Sequence, residues 1–206
     1  MQVVFDPIDV SQDWLVHVST RRRVTRPEYQ AFCEANPDLR IERSAEGELI
    51  VMAPTYSFTG ARNFRICTGL GIWTNKDGRG IACDSSTGYV LPNGARRSPD
   101  ASWTLKSRIA QLETRSRNKF WRLCPDFVIE LRSETDRVRT LRNKMREYME
   151  NGAQLGWLID PENRSIEIYR PGGEVETRVG VDKLEGEGPV SGFVLDLPYI
   201  WNPLGD

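Results

Sequence analysis

Two spacings of apolar residues organise the chain. At a period of two, Phe127, Ile129 and Leu131 share one side of the extended segment 124–133, and Asp126, Val128, Glu130 and Arg132 share the other. Successive side chains of a strand point to opposite faces, so this segment predicts a strand with one wholly apolar face. At a period near 3.6, Val138, Leu141, Met145, Tyr148 and Met149 cover one arc of a helix, roughly 100° wide. Asn151-Gly152 stops that helix as a C-cap. Lys144 falls at the edge of the apolar arc, about 40° from Tyr148, whereas Arg146, Glu147 and Glu150 lie well away from it. A lysine there either lays its stem along apolar surface or reaches over the edge of the sheet.

The same reading extends along the chain. Residues 1–24 show no clear period and predict an N-terminal arm. Thr25-Arg26-Pro27-Glu28 predicts a capping box, opening a helix through Tyr29, Phe32 and Cys33 that stops before Pro37. Leu39–Arg43 and Glu48–Met52 predict a hairpin turning at Gly47, from which Glu42 or Glu48 points inward. Phe58, Ala61, Phe64, Ile66, Leu70 and Trp73 predict a core-packing helix over 57–73. Short strands follow at 81–84 and 89–91, then the turn Pro92-Asn93-Gly94. Ala101, Trp103 and Leu105 alternate with Ser102 and Thr104, so Asp100 opens a strand just after Pro99. Residues 106–123 are polar and basic and predict a loop with a helical turn. Leu155–Pro161 and Ser165–Arg170 form a second hairpin, 172–188 a charged glycine-bearing tail, and 193–197 a last strand. The order predicts one α/β (α+β) domain spanning 1–206, a mixed sheet flanked by helices.

Composition narrows the chemistry. The chain has 206 residues, 39% apolar and 28% charged, enough apolar material for a packed core. With a net charge of -1, any nucleic-acid contact must come from local basic clusters: Arg21–Arg23, Arg96-Arg97, Arg115/Arg117/Lys119/Arg122 and Arg137/Arg139/Arg142/Lys144/Arg146. Each of these also fits a solvated face. One histidine and four scattered cysteines argue against zinc and leave carboxylates as the metal ligands on offer. No signal peptide or membrane span is expected, and the reduced cysteines fit a cytoplasmic protein.

Three features then assemble: an acid after a proline at a strand start (Asp100), an acid inside a later apolar strand (Glu130), and a lysine on the sheet-facing edge of the next helix (Lys144). Two carboxylates on neighbouring strands suit Mg²⁺, which keeps the rest of its shell for water and phosphate oxygens. A lysine beside them can orient water and offset charge on a phosphorus centre. An ion-pair ladder of Asp126, Glu130 and Arg132 on a half-exposed strand is the other arrangement this pattern allows.

The segments 97–103, 124–133 and 144–148 leading to 156–161, together with Glu42 and Gly47-Glu48-Leu49, resemble the putative restriction endonuclease family expanded in cyanobacteria. That family lies within the PD-(D/E)xK restriction-endonuclease-like superfamily. The resemblance spans about residues 25–200. It implies a restriction-endonuclease-like fold with an N-terminal helix and β-hairpin. It also implies Asp100 and Glu130 as ligands of Mg²⁺ or Mn²⁺, Lys144 as the catalytic lysine moved to the helix, and Glu42 completing the site. It implies a DNA substrate, and cutting both strands would suit a homodimer. The sequence departs from the superfamily pattern at Arg132, where the motif has lysine; an arginine stays charged and cannot serve as a base. Asp126 ranks below Asp100, and Ser133, Glu134 and Asp136 are expected to cap the following helix. A non-catalytic nucleic-acid-binding or interaction module on the same fold, and more weakly a small-molecule phosphate hydrolase, are the alternatives.

Overall fold

The computed structural model of the protein describes residues 23–52, 54–114 and 119–205. All but the last two residues of the predicted arm, with the basic residues Arg21, Arg22, Arg115 and Arg117, lie outside the described residues.

A six-stranded mixed sheet forms the centre, in the order β10-β9-β8-β7-β6-β3. These strands are β3 (Gly80–Asp84), β6 (Ala101–Leu105), β7 (Phe127–Leu131), β8 (Leu155–Asp160), β9 (Ser165–Tyr169) and β10 (Glu176–Val179). β7 and β8 run parallel, because helix α4 (Val138–Glu150) carries the chain back between them; the other neighbours are antiparallel.

Both faces of β7 are covered. Phe127, Ile129 and Leu131 enter a core built with Trp103, Trp157 and Phe193. The Phe127 and Trp157 rings meet edge-on, with centroids 4.8 Å apart. Helix α2 (Ser57–Asp77), the ribbon β11 (Lys183–Glu185)–β12 (Val194–Asp196) and the short helix α5 (Pro198–Trp201) close this side. On the opposite face Val128 packs against Leu141, Met145 and Tyr148 of α4. Burying each such large apolar side chain contributes about 1.5–3 kcal/mol. α4 lies close to β8 at Gly156, where an added Cβ would come within 2.5 Å of Met145 Cε.

A second sheet, β2-β1-β5-β4, stands beside the first. It contains the hairpin β1 (Arg40–Arg43)–β2 (Leu49–Met52), with β4 (Tyr89–Val90) and β5 (Arg96–Arg97). Gly47 closes the hairpin at φ +94, a conformation that favours glycine. Helix α1 (Arg26–Ala35) begins as expected, with the Glu28 carboxylate accepting from the Thr25 N–H at 2.9 Å.

Four expectations are corrected. β7 is buried on both faces, so the half-exposed ion-pair ladder does not form. α2 runs on to Asp77, and Phe58 and Phe64 point outward, Phe64 at 72% exposure; the core side is carried by Ile66, Leu70 and Trp73 instead. The charged tail 172–188 contains β10 and β11, built on alternation too sparse to register as a strand pattern. α4 is capped by none of Ser133, Glu134 or Asp136: it starts at Val138, and Asp136 instead closes a turn by accepting from the Ser133 N–H at 2.8 Å. The helical turn expected in 106–123 is α3 (Lys106–Ala110).

Candidate active site

Four elements deliver the predicted residues to one cleft of about 1000 Å³, lined by Glu42, Asp100, Glu130 and Lys144. β6 and β7 pair antiparallel with Ala101 opposite Ile129 and Ser102 opposite Val128. One step further this register sets Asp100 against Glu130, on the same face. Asp100 is tied there, because its Oδ2 accepts from the Leu131 N–H at 2.8 Å. α4 brings Lys144 over Glu130, and β1 brings Glu42 from the second sheet.

Lys144 is the hub. Its Nζ lies 2.9 Å from Glu130 Oε1 and 3.0 Å from Glu42 Oε1. Glu130 is 3% exposed, and the Tyr148 hydroxyl donates to its Oε1 at 3.0 Å. Glu42 is equally buried, and it accepts from the Ser98 N–H at 2.8 Å and from Arg97 Nη1 at 3.2 Å. Arg97 also donates to Glu147 at 2.6 Å, which anchors the second sheet to α4.

The electrostatics separate the acids. Burial pushes the Glu130 carboxyl up, Asp100 and Glu42 add repulsion, and Lys144 only partly offsets them, leaving it at about 8. Burial also raises Asp100, against the pull of Lys144 and the Leu131 N–H. Glu42 experiences the same burial, yet Lys144, Arg97 and the Ser98 N–H outweigh it and hold Glu42 below the usual range. Burial alone would discharge Lys144, but Glu130, Glu42 and Asp100 together raise it and keep it cationic.

Among the described residues no three His, Cys, Asp or Glu side chains are disposed to hold a metal ion together. The donor set is the pair Asp100 and Glu130, all oxygen, with both acids raised chiefly by burial. That set fits a hard divalent cation, which takes one or two carboxylates and fills its shell with water and phosphate oxygens.

Arg132 does not join this site. Its Nη1 bridges Asp160 and Glu162, each at 2.8 Å. Of the two cations near the acidic strand, Lys144 alone touches Glu130. Asp126 sits at the far end of β7, pairing with Arg108 at 2.7 Å and accepting from the Leu105 N–H at 2.9 Å. Of the hairpin acids Glu42 faces inward and Glu48 is exposed. In the sequence Arg97 read as part of a basic pair and Tyr148 as part of an apolar arc, neither as part of the site. Tyr148 carried a signal, standing four residues after Lys144 on the same helical side.

Residues 26–198 match the Uma2 family, described as a putative restriction endonuclease. The chain belongs to this family. A solved structure of similar fold is a putative nuclease belonging to DUF820 from Anabaena variabilis, with a TM-score of 0.67 and 21% identity. The likeness covers 78% of this chain and 89% of that one. A search of curated proteins gave no match. The Uma2 match starts at the first residue of α1 and ends at the start of α5, so it takes in every element that supplies the cleft. No helix among the described residues is long and apolar enough to cross a membrane.

Proposed function

We propose that this protein is a Mg²⁺- or Mn²⁺-dependent endonuclease that hydrolyses DNA phosphodiester bonds. The observation that carries the reading is the convergence of Asp100, Glu130 and Lys144, from three separate elements, on one cleft. Burying two acids and a lysine is costly for the fold, and nothing in the packing of β7 requires it.

In this reading Asp100 and Glu130 hold the cation, as the PD-(D/E)xK pattern has it. A bound Mg²⁺ supplies a more acidic water and polarises a phosphoryl oxygen. Lys144 stays protonated, so it acts by charge and hydrogen bonding and takes no proton from water. Its ammonium donates to the water or to a non-bridging phosphate oxygen, offsetting charge as phosphorus becomes five-coordinate. Glu42 and Glu130 grip Nζ from two sides and set its position, while Arg97 holds Glu42 ionised for that task. Tyr148 orients Glu130 through its hydroxyl. Arg137 and Arg146 line the same cleft and fit contacts to the phosphate backbone. Cutting both strands then calls for two copies related by a two-fold axis.

A non-catalytic module keeps one observation in its favour: Lys144, Glu42 and Glu130 already satisfy one another without a cation. Nicking of supercoiled plasmid with Mg²⁺ or Mn²⁺ separates the two. The endonuclease reading expects relaxed and linear products from the wild type and none from Asp100→Asn; a wild type that binds DNA and never nicks it leaves the module.

A further inference from the structure

β5 is two residues long, and its side chains point opposite ways. Arg97 enters the acid cluster. Arg96 enters a different cavity, of about 1160 Å³, on the other side of the second sheet. There its guanidinium lies over two rings, 5.2 Å from the Tyr29 centroid and 5.7 Å from that of Phe120. Its Nε is buried without a hydrogen-bond partner among the described residues, and no carboxylate is paired with it among them. Arg122 and Arg26 act on it as like charges. A half-buried cation held over rings, with its buried Nε unspent, is left incompletely satisfied unless an anion completes it.

The rest of the cavity suits a planar ligand. Phe120 is 44% exposed, so part of its ring remains open to a ligand while it also meets Arg96. Gly88 makes room for that ring: a Cβ there would stand 2.9 Å from Phe120 Cε1. Trp121, also on the wall, is braced edge-on by Tyr89, with centroids 6.1 Å apart. Lys119 and Arg122 add positive charge to the wall, against Glu34 and Glu113. Aromatic faces beside unpaired guanidinium donors are the pairing that binds a base and its phosphate together.

We propose that this cavity is a nucleotide site separate from the acid cluster, stacking a base on Phe120 and holding its phosphate on Arg96 with Arg122. The nucleotide is either free or an unpaired residue of a nucleic-acid strand. The site does not depend on the nuclease reading, because none of its residues belongs to the acid cluster.

The test is calorimetric titration of deoxyadenosine 5′-monophosphate into the full chain in EDTA, where no metal-dependent cleavage can occur. Wild type and Asp100→Asn/Glu130→Gln should bind alike. Phe120→Ala, at an exposed ring, and Arg122→Ala, at an exposed arginine, should each weaken binding about tenfold. Arg96→Gln should abolish it, with circular dichroism checking its fold. A single-stranded oligothymidylate that competes with the nucleotide supports the site and makes a strand its source; failure to compete alongside nucleotide binding supports a free nucleotide. Absence of binding, equal binding by all variants, or equal affinity for ribose 5-phosphate overturns the proposal, the last by showing that no base is recognised.

Discussion

Replacing Lys144 by methionine removes the ammonium and keeps most of the stem. In the folded protein Nζ is shared by Glu130 at 2.9 Å and Glu42 at 3.0 Å, and the side chain is 14% exposed. Removing one partner of a buried pair costs about 3–5 kcal/mol, because the other charge is left uncompensated. Two features moderate that cost. Glu42 keeps Arg97 and the Ser98 N–H. Glu130, already raised to about 8, can take up a proton. At pH 9, where Glu130 is ionised, Lys144→Met should therefore lose about 3–5 kcal/mol, and at pH 6, where it is protonated, about 1–2 kcal/mol. Urea denaturation without metal reads both values from the midpoint and slope. Lys183→Met is the control: its pair with Asp196 spans 3.6 Å with both side chains about 70% exposed, and it should cost less than about 1 kcal/mol at either pH. If Lys144→Met costs no more than Lys183→Met at pH 9, Lys144 is not the buried hub described above.

Other predictions rest on the same cluster. Glu130 has a folded value of about 8 against 4.5 unfolded, so the folded state binds the extra proton between them and metal-free stability falls as pH rises through that window. The loss is at most about 5 kcal/mol, Asp100 adds in the same direction, and Glu130→Gln should flatten most of the slope in denaturation series from pH 5 to 9. Ionised carboxylates bind metal, so Mn²⁺ affinity at pH 6 should be about 50-fold weaker than at pH 8, with proton release seen as a dependence of titration heat on buffer. Tyr148→Phe should cost about 1–2 kcal/mol by leaving Glu130 short of a donor, measured by thermal unfolding. Gly156→Ala should cost about 1–3 kcal/mol as Met145 and Met149 give way, with a matching drop in the urea midpoint.

The strand–helix unit was legible because two strong periods meet there, and it located Glu130 and Lys144 relative to each other. Asp100 was legible from its place after Pro99, at the start of an alternating strand. The choice of Glu42 over Glu48 was not: both flank the same turn, and only the pairing of β1 with β5 decides which face is inward. Nor could spacing show that Arg132 turns away, since its partners Asp160 and Glu162 are some thirty residues on, across the parallel pairing of β7 with β8. The outward turn of Phe58 and Phe64 was hidden because aromatic residues on a loosely periodic helix resemble a core face whichever way they point. Arg96 and Arg97 looked like one basic pair; a two-residue strand separates them into different cavities.

The central claim is that Asp100 and Glu130 bind a divalent cation for phosphodiester cleavage. Titration of Mn²⁺ at pH 8 into wild type and Asp100→Asn/Glu130→Gln, with plasmid nicking followed on the same samples, tests it most directly. Binding and nicking by the wild type, and neither by the double variant with its fold intact, is the predicted result. Equal metal binding by both proteins, or nicking that survives in the double variant, would contradict it.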